Sequence, residues 1–371
     1  MSDSTQSDAL HPEGSNRASS TKSLAFFEFW PTWLMYLPVM LQWPLLALRY
    51  RSFTLPLLAN PDLPLGGMVG ASKAQLMGQA RGHCARAFLP WVTGSRTQAS
   101  AETLAEDLLA RAEREGFRLP FVVKPDIGCR GAGVKRVSSL DELSRVIAHY
   151  PPGATFIAQK LARFEHEAGI FYVRAPDEPR GTVVSLTFKD LPSVTGNGRH
   201  TLAQLVEADP RAGALQHLYE PRQRDRWHQV VPRGEVVPLL FSASHCQGAV
   251  FTNGQSAITP ALAQAIDRLM HDLPNFHYGR LDVKFADLKS LRAGDNLEVM
   301  EINGASAEAI HIWDRDTRLG DALRTLMWQY RTLFRIGAQQ RRRGYRTPGL
   351  RALWRAWRHE RALTRHYPET D

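Results

Sequence analysis

Tyr278-Gly-Arg-Leu-Asp-Val-Lys-Phe285, followed by Leu297-Glu-Val-Met-Glu-Ile-Asn-Gly304, decides how this chain is read. In the first stretch Leu281, Val283 and Phe285 alternate with Arg280, Asp282 and Lys284, the period-two pattern of a strand with one apolar and one charged face. In the second, Glu301 and Asn303 share a face while Met300 and Ile302 take the other. A carboxylate among apolar neighbours is costly unless a cation or a hydrogen bond compensates it. Asp282, Glu301 and Asn303 offer two carboxylates and an amide oxygen, hard ligands of the kind Mg2+ prefers. Pairing of the acids with nearby arginines is the alternative.

Upstream lies Phe121-Val-Val-Lys-Pro-Asp-Ile-Gly-Cys-Arg-Gly-Ala-Gly-Val-Lys-Arg-Val137. An apolar strand delivers Lys124, and a loop with Gly128, Gly131 and Gly133 returns to a second strand. Glycines let backbone N–H groups approach an anion and form a concave nest of donors, and a lysine adds a point charge for a phosphate oxygen. The spacing is neither that of a P-loop nor that of a dinucleotide fingerprint.

In this order, the two segments resemble the ATP-grasp superfamily, in particular its carboxylate–amine ligase branch with D-alanine–D-alanine ligase and the ligase half of cyanophycin synthetase. The resemblance covers roughly residues 65–320. It implies an α+β ATP-grasp fold, two lobes of antiparallel sheet plus helices clasping ATP. Asp282, Glu301 and Asn303 would hold Mg2+ (or Mn2+). Lys124 and Lys73, the latter in Gly70-Ala-Ser-Lys73, would bind phosphates beside Gly128, Gly131 and Gly133, with Lys189 a further nucleotide-site lysine. Phe156-Ile-Ala-Gln-Lys-Leu161 resembles the hinge strand at adenine, so Gln159, Lys160 and Leu161 would flank the base. Glu165 or Glu167 would hold the ribose. Thr195-Gly-Asn-Gly-Arg-His-Thr-Leu202 is similar to a glycine loop of the branch, with Asn197 where an acid is usual. Arg280 would polarise the oxygen of a tetrahedral intermediate. The implied reaction joins a small-molecule carboxylate to an amine through an acyl phosphate and releases ADP. An ATP-grasp phosphotransferase and a membrane-associated ATP-binding protein without turnover are the rival expectations.

With 371 residues, 43% of them hydrophobic, the chain can bury a large core in two or three lobes. Cysteines 84, 129 and 246 fit no disulfide framework and no zinc spacing, which suits a reducing, cytoplasmic setting. Cys129 reads as a small side chain tolerated in a tight loop rather than as a redox thiol. The thirteen histidines include no i, i+4 pair; His245 and His311, nearest the acidic strands, read as satisfied structural groups. No Gly-x-Ser-x-Gly elbow supports serine catalysis.

Five regions follow: a polar tail at 1–22, an apolar segment at 23–60, an N-terminal region at 61–118, the ATP-grasp domain at 119–320 and a basic helical extension at 321–371. Between Leu24 and Leu48 only Glu28, Thr32 and Gln42 are polar. Pro31, Pro38 and Pro44 interrupt this stretch, and its tryptophans favour the headgroup level, so an in-plane or re-entrant segment at the cytoplasmic membrane is expected. A hydrophobic arm folded on the protein's own lobe, or on a second copy in a homodimer, is the alternative. From Arg318 to Arg365 there are thirteen arginines, no lysine, and only Asp321 and Glu360 as acids. A first stripe, Leu323 to Phe334, reads as a cap on the core. A second, through Leu350, Leu353, Trp354 and Trp357, reads as a peripheral anchor on anionic lipid. Nucleic acid is the rival partner for the net charge of +9, but no binding module accompanies it and none is expected as a ligand.

Among local signals, Ser139-Leu-Asp-Glu142 predicts a capping box, Thr259-Pro260 a helix start, and residues 101–117 a helix. Strands are expected at 121–124, 134–137, 156–161, 170–174, 182–188, 236–243, 280–285 and 297–302.

Overall fold

The structure, a computed structural model, describes residues 25–128, 131–244, 247–368 and 370; the expected tail at 1–22, Cys129, His245 and Cys246 lie outside the described residues. The strands are β1 (Trp91–Ser95), β2 (Phe121–Pro125), β3 (Lys135–Val137), β4 (Thr155–Lys160), β5 (His166–Val173), β6 (Thr182–Asp190), β7 (Ser193–Thr195), β8 (Val236–Pro238), β9 (Val250–Asn253), β10 (Tyr278–Phe285) and β11 (Leu297–Asn303). The helices are α1 (Thr32–Met35), α2 (Leu37–Tyr50), α3 (Lys73–Gln79), α4 (Gly82–Ala87), α5 (Ala101–Arg114), α6 (Leu140–His149), α7 (Leu202–Ala208), α8 (Gln216–Tyr219), α9 (Pro260–His271), α10 (Leu288–Ala293), α11 (Leu319–Arg342) and α12 (Leu350–Thr364).

Two antiparallel sheets carry the molecule, one in the order β1-β4-β2-β3 and one in the order β11-β10-β5-β6-β9, with a two-stranded β7-β8 sheet beside them. This is the α+β architecture expected. Helices α5 and α6 cover one face of the smaller sheet, burying Leu108, Leu143 and Ile147 against Phe121, Val123 and Phe156. Ser100 and Ser139 cap these helices through the N–H groups of Thr103 and Glu142. Glu142 reaches back to Ser138 N rather than to Ser139, so the capping box closes one residue early. The larger sheet packs Ile170, Leu281, Val283 and Phe285 against Ile266 and Leu269 of α9, whose N-terminus Thr259 caps as expected.

Three short strands, β1, β7 and β9, were not expected, and the run at 236–243 pairs only over 236–238. Each is brief and pairs with a partner distant in sequence, so it lacks the long alternation that marks a strand. β1 matters for organisation. It pairs with β4 from Trp91↔Gln159 to Ser95↔Thr155, so a boundary at 118/119 divides a single sheet.

The apolar N-terminal segment is folded along one side against α11. Phe27, Met35 and Val39 are buried with Ile312, Ala322 and Leu326, and Ala47 with Leu55 and Phe334. Gln42 Nε2 donates to Met327 O (2.9 Å) and Trp43 Nε1 to Phe53 O (3.1 Å). Glu28, nearly inaccessible, is held by Arg211 at 2.6 Å, which explains a lone acid in an apolar run. No helix among the described residues is long and apolar enough to cross a membrane. The arm-on-own-lobe alternative therefore describes the inner side, whereas Trp33, Leu37, Met40, Leu41, Leu45 and Leu48 point outward and are 40–79% exposed. α11 is the core cap that its stripe predicted, with Leu326, Leu333 and Phe334 buried. α12 buries none of its side chains.

Candidate active site

One face of the larger sheet forms a grid of side chains set by strand register. Lys284 stands between Glu298 and Glu167, and Glu167 stands beside Lys189. In the next row Asp282 lies between Glu301 and Gly169, with Thr187 beyond. In the third Arg280 lies between Asn303 and Phe171, followed by Ser185. Alternation puts all of these on one side because side chains i and i+2 share a face.

A register shift in β11 between the partners of Asp282 and Val283 makes Met300 the extra residue of a bulge. The bulge brings Glu298 and Glu301, three apart, onto the same face and leaves the Met300 carbonyl outside the ladder. Lys124 Nζ, delivered from the smaller sheet by β2, donates to that carbonyl at 3.1 Å.

Asp282 is buried. Arg280 grips it with Nε and Nη2 at 2.9 and 3.0 Å, Lys189 Nζ lies 3.4 Å away, and Asn303 Nδ2 donates at 3.1 Å. Burial opposes its ionisation, yet Arg280 and Lys189 outweigh burial and hold the carboxyl at about 2. Glycine at 169 gives close packing. A Cβ there would fall 2.9 Å from Ile310 Cδ1 and 3.1 Å from Arg280 Cδ, so Gly169 leaves the room in which Arg280 folds onto Asp282. Glu301 is more open, its side chain 27% exposed, with Lys73 Nζ 3.8 Å away.

Lys73 and Lys124 reach this face from different elements. Lys73 opens α3, and its Nζ donates to Gly128 O at 2.7 Å. Asp126, two residues past Lys124, holds the start of α3: its Oδ1 accepts from Ser72 Oγ (3.0 Å) and Ala74 N (2.7 Å), and its carbonyl accepts from Lys73 N. One acid thus locks the two lysine-bearing segments together. The segment leading to α3 is anchored by buried Asn60, whose amide bonds both the N–H and the C=O of Tyr278 at the start of β10. Lys124 is almost fully buried, and desolvation pulls its ammonium down to about 8 against the opposing pull of Glu301.

Gly128, Gly131 and Gly133 all have positive φ, at 155°, 73° and 72°, a conformation that β-carbon-bearing residues rarely adopt. Of the two ribose candidates only Glu167 joins the cluster, paired with Lys189 and with Lys284 at 3.2 Å. Glu165 is exposed and offers Lys284 only its backbone carbonyl, so the structure does not bring it into the grid. Lys189, expected at the nucleotide, is engaged by Glu167 and Asp282, whose charges outweigh burial and raise its pKa. At the end of β4, Gln159 is buried and donates weakly to Leu89 O (3.4 Å). Lys160 N is bonded to Pro90 O. Lys160 and Leu161 line an open cavity of about 530 Å3 with Phe117, Arg118 and Pro120. The loop at Asn197 is exposed and closed on itself: Asn197 Oδ1 accepts from Arg199 N and His200 N. His311 bonds Ser185 Oγ at 2.7 Å, a satisfied structural group as expected.

Sequence reasoning missed Asp126, Asn60, the Met300 bulge and the Arg163–Glu298 pair (2.6 Å). Asp126 carried a signal, an acid directly after the lysine strand opposite a helix that begins Ser72-Lys73. The bulge and Asn60 carried none, since both act through pairing across distant segments.

No family profile matches the sequence, and no curated protein does. Among solved structures the chain is similar to the D-alanine–D-alanine ligase from Bacillus anthracis, with 13% identity over 76% of this chain and 72% of that one, and a TM-score of 0.42. It is similar to a D-cycloserine synthetase, with 14% identity over 70% of each chain and a TM-score of 0.34. It is also similar to a bifunctional glutathione synthetase from Pasteurella multocida, with 14% identity over 69% of this chain and a TM-score of 0.34; this chain spans 36% of that protein. All three are ATP-grasp ligases. At this level of similarity the chain's own residues, not its neighbours, carry a functional reading.

Proposed function

We propose that this chain is an ATP-dependent carboxylate–amine ligase. The observation that carries the reading is the convergence of Lys73, from α3, and Lys124, from β2 of the smaller sheet, on the edge of β11 that bears Glu301. With Arg280, Lys189 and Lys284 they give the face more cations than Glu167, Asp282, Glu298 and Glu301 balance, the charge a polyphosphate requires.

Lys73, Lys124 and the N–H groups of the glycine loop bind the phosphates in this reading. The hinge backbone at Gln159–Leu161 holds the base, and Glu167 is the acid nearest the ribose. A substrate carboxylate oxygen attacks the γ-phosphorus, and the bond to the leaving ADP oxygen breaks. An amine nitrogen then attacks the acyl carbon, phosphate leaves with the carbon–oxygen electron pair, and the amine gives up a proton. Both steps gather negative charge, which fixed cations stabilise best in a water-poor cleft. Arg280, held by Asp282 and Glu308 O, is fixed to direct its remaining N–H groups at the acyl oxygen.

The donors suit a hard divalent cation unevenly. No set of three acidic, histidine or cysteine side chains converges among the described residues. Asp282 is clasped by Arg280, whereas Glu301 is open, and Asn303 gives its amide nitrogen to Asp282, which leaves its oxygen for another partner. Glu301 and Asn303 would therefore be the first to hold Mg2+ or Mn2+, with Asp282 behind them. Such an ion supplies charge neutralisation between phosphate oxygens.

A screen of ADP release over pairs of carboxylates and amines tests the reading. Release that depends on both partners, with an amide as product, supports it; a phosphate ester would favour phosphoryl transfer, and no turnover with any pair would favour binding alone.

A second reading concerns location. The outward stripe of α1 and α2 is contiguous and apolar, and Trp354, Trp357 and four arginines line the outer side of α12. Both suit a membrane surface, one by apolar insertion and one by attraction to anionic headgroups.

A further inference from the structure

The inner side of α12 and the residues after it touch both phosphate-binding segments. Glu360, one of only two acids in the arginine-rich region, accepts from Gly70 N at 2.7 Å, three residues before Lys73. A Cβ on Gly70 would lie 3.5 Å from Ala356 Cβ, so the helix and this loop are in direct contact. Farther along, the Tyr367 side chain lies across the glycine loop. A Cβ on Gly128 would meet its ring at 3.3 Å, and one on Gly133 would meet its Cβ at 3.2 Å.

Among the described residues, the hydrogen bonds from Tyr367, Thr370 and Tyr150 to the glycine loop are made to its carbonyls. Tyr367 Oη donates to Ile127 O at 2.6 Å, and Thr370 Oγ1 donates to Gly131 O at 2.6 Å. Tyr150, edge-on to Tyr367 at 5.7 Å, donates to Gly133 O at 2.8 Å. In a trans peptide the C=O and the following N–H point in opposite directions. Tying the Ile127 and Gly131 carbonyls to the tail therefore turns the N–H groups of Gly128 and Ala132 away from it. A loop of glycines has many other orientations available, and it loses them only where something holds it.

We propose that the C-terminal segment through Thr370 is a working part of the nucleotide site. Tyr367 and Thr370 are positioning residues that hold the glycine loop with its N–H groups turned to receive phosphates, and Glu360 ties that assembly to the segment carrying Lys73. The proposal rests on the nucleotide reading above.

Tyr367→Phe tests it, because the ring keeps its packing on Tyr150 and the loop while the hydroxyl is lost. Two measurements on the full chain decide, with Tyr367→Phe/Thr370→Val as the stronger variant. Without nucleotide, amide exchange in residues 126–134 should quicken while the melting temperature holds. By calorimetry, Mg·ATP affinity should fall about fivefold or more, the loss expected from one or two hydrogen bonds, while AMP affinity stays within about twofold. Unchanged exchange, or quicker exchange with unchanged ATP affinity, overturns the proposal while the parent still binds ATP. A parent chain that binds no ATP overturns the nucleotide reading and this proposal with it. Equal losses of ATP and AMP also overturn it, since they would mark a structural role alone.

Discussion

Asp282 and Glu301 stand directly opposite one another on β10 and β11, yet one is clasped by a guanidinium and the other is more open, with an ammonium 3.8 Å away. The two carboxylates should therefore respond differently to neutralisation. Asp282→Asn leaves Arg280 buried without the carboxylate that clasps it, and Lys189 with Glu167 alone, and should destabilise the fold by about 3–5 kcal/mol. Glu301→Gln, at a more open position, should leave the denaturation midpoint nearly unchanged but abolish Mg2+-dependent nucleotide turnover. Parental turnover in Glu301→Gln would remove Glu301 from the metal site.

Lys124 should matter for phosphates and not for the base. Lys124→Ala is expected to weaken ATP by about tenfold or more, the loss of a charge-assisted hydrogen bond, and AMP far less. Equal losses for both nucleotides, measured by calorimetry, would contradict that role.

His277 sets an acid limit on stability. It is buried behind Asn60 and Arg174, and burial first, then the Arg174 charge, pull it down to about 4. An unfolded histidine titrates near 6.5. Between those values the unfolded chain holds the extra proton, so this contribution is complete above about 6.5 and is lost as the pH falls through 4. The loss is on the order of 3 kcal/mol. Urea midpoints at pH 7, 5.5 and 4.5 should fall less steeply in His277→Gln than in the parent; parallel slopes would exclude His277 as the cause.

The outer stripe of α2 should confer salt-resistant binding to lipid. Leu41→Gln with Leu45→Gln alters two exposed side chains and leaves the contacts with α11 intact. The parent should sediment with anionic vesicles at low and high salt. The double variant should do so only at low salt, where the α12 arginines still act within a Debye length of about 10 Å. A parent that stays in the supernatant at both salt concentrations would end the membrane reading.

Much of the site could be read from sequence because its elements announce themselves locally. The alternation from Arg280 to Phe285 placed Asp282 on the charged face, and the glycine spacing placed a loop after Lys124. What stayed hidden depended on pairing between distant segments. The Met300 bulge exists only against β10, Asp126 holds the start of a helix that begins 53 residues earlier in the chain, and Tyr367 reaches a loop 240 residues away. The apolar N-terminal run was ambiguous for another reason. Both of its sides are greasy, and hydropathy alone does not separate the side that packs on α11 from the side that faces outward.

The most direct test follows one oxygen atom. Carboxylate substrates found by the ADP screen would be labelled with 18O, and the phosphate released with the matching amine would be analysed by mass. Attack by the carboxylate on the γ-phosphorus, followed by amine displacement, predicts one labelled oxygen per phosphate and one amide per ADP. Unlabelled phosphate, or ADP formed with no amide, would contradict an acyl-phosphate ligase built on this face.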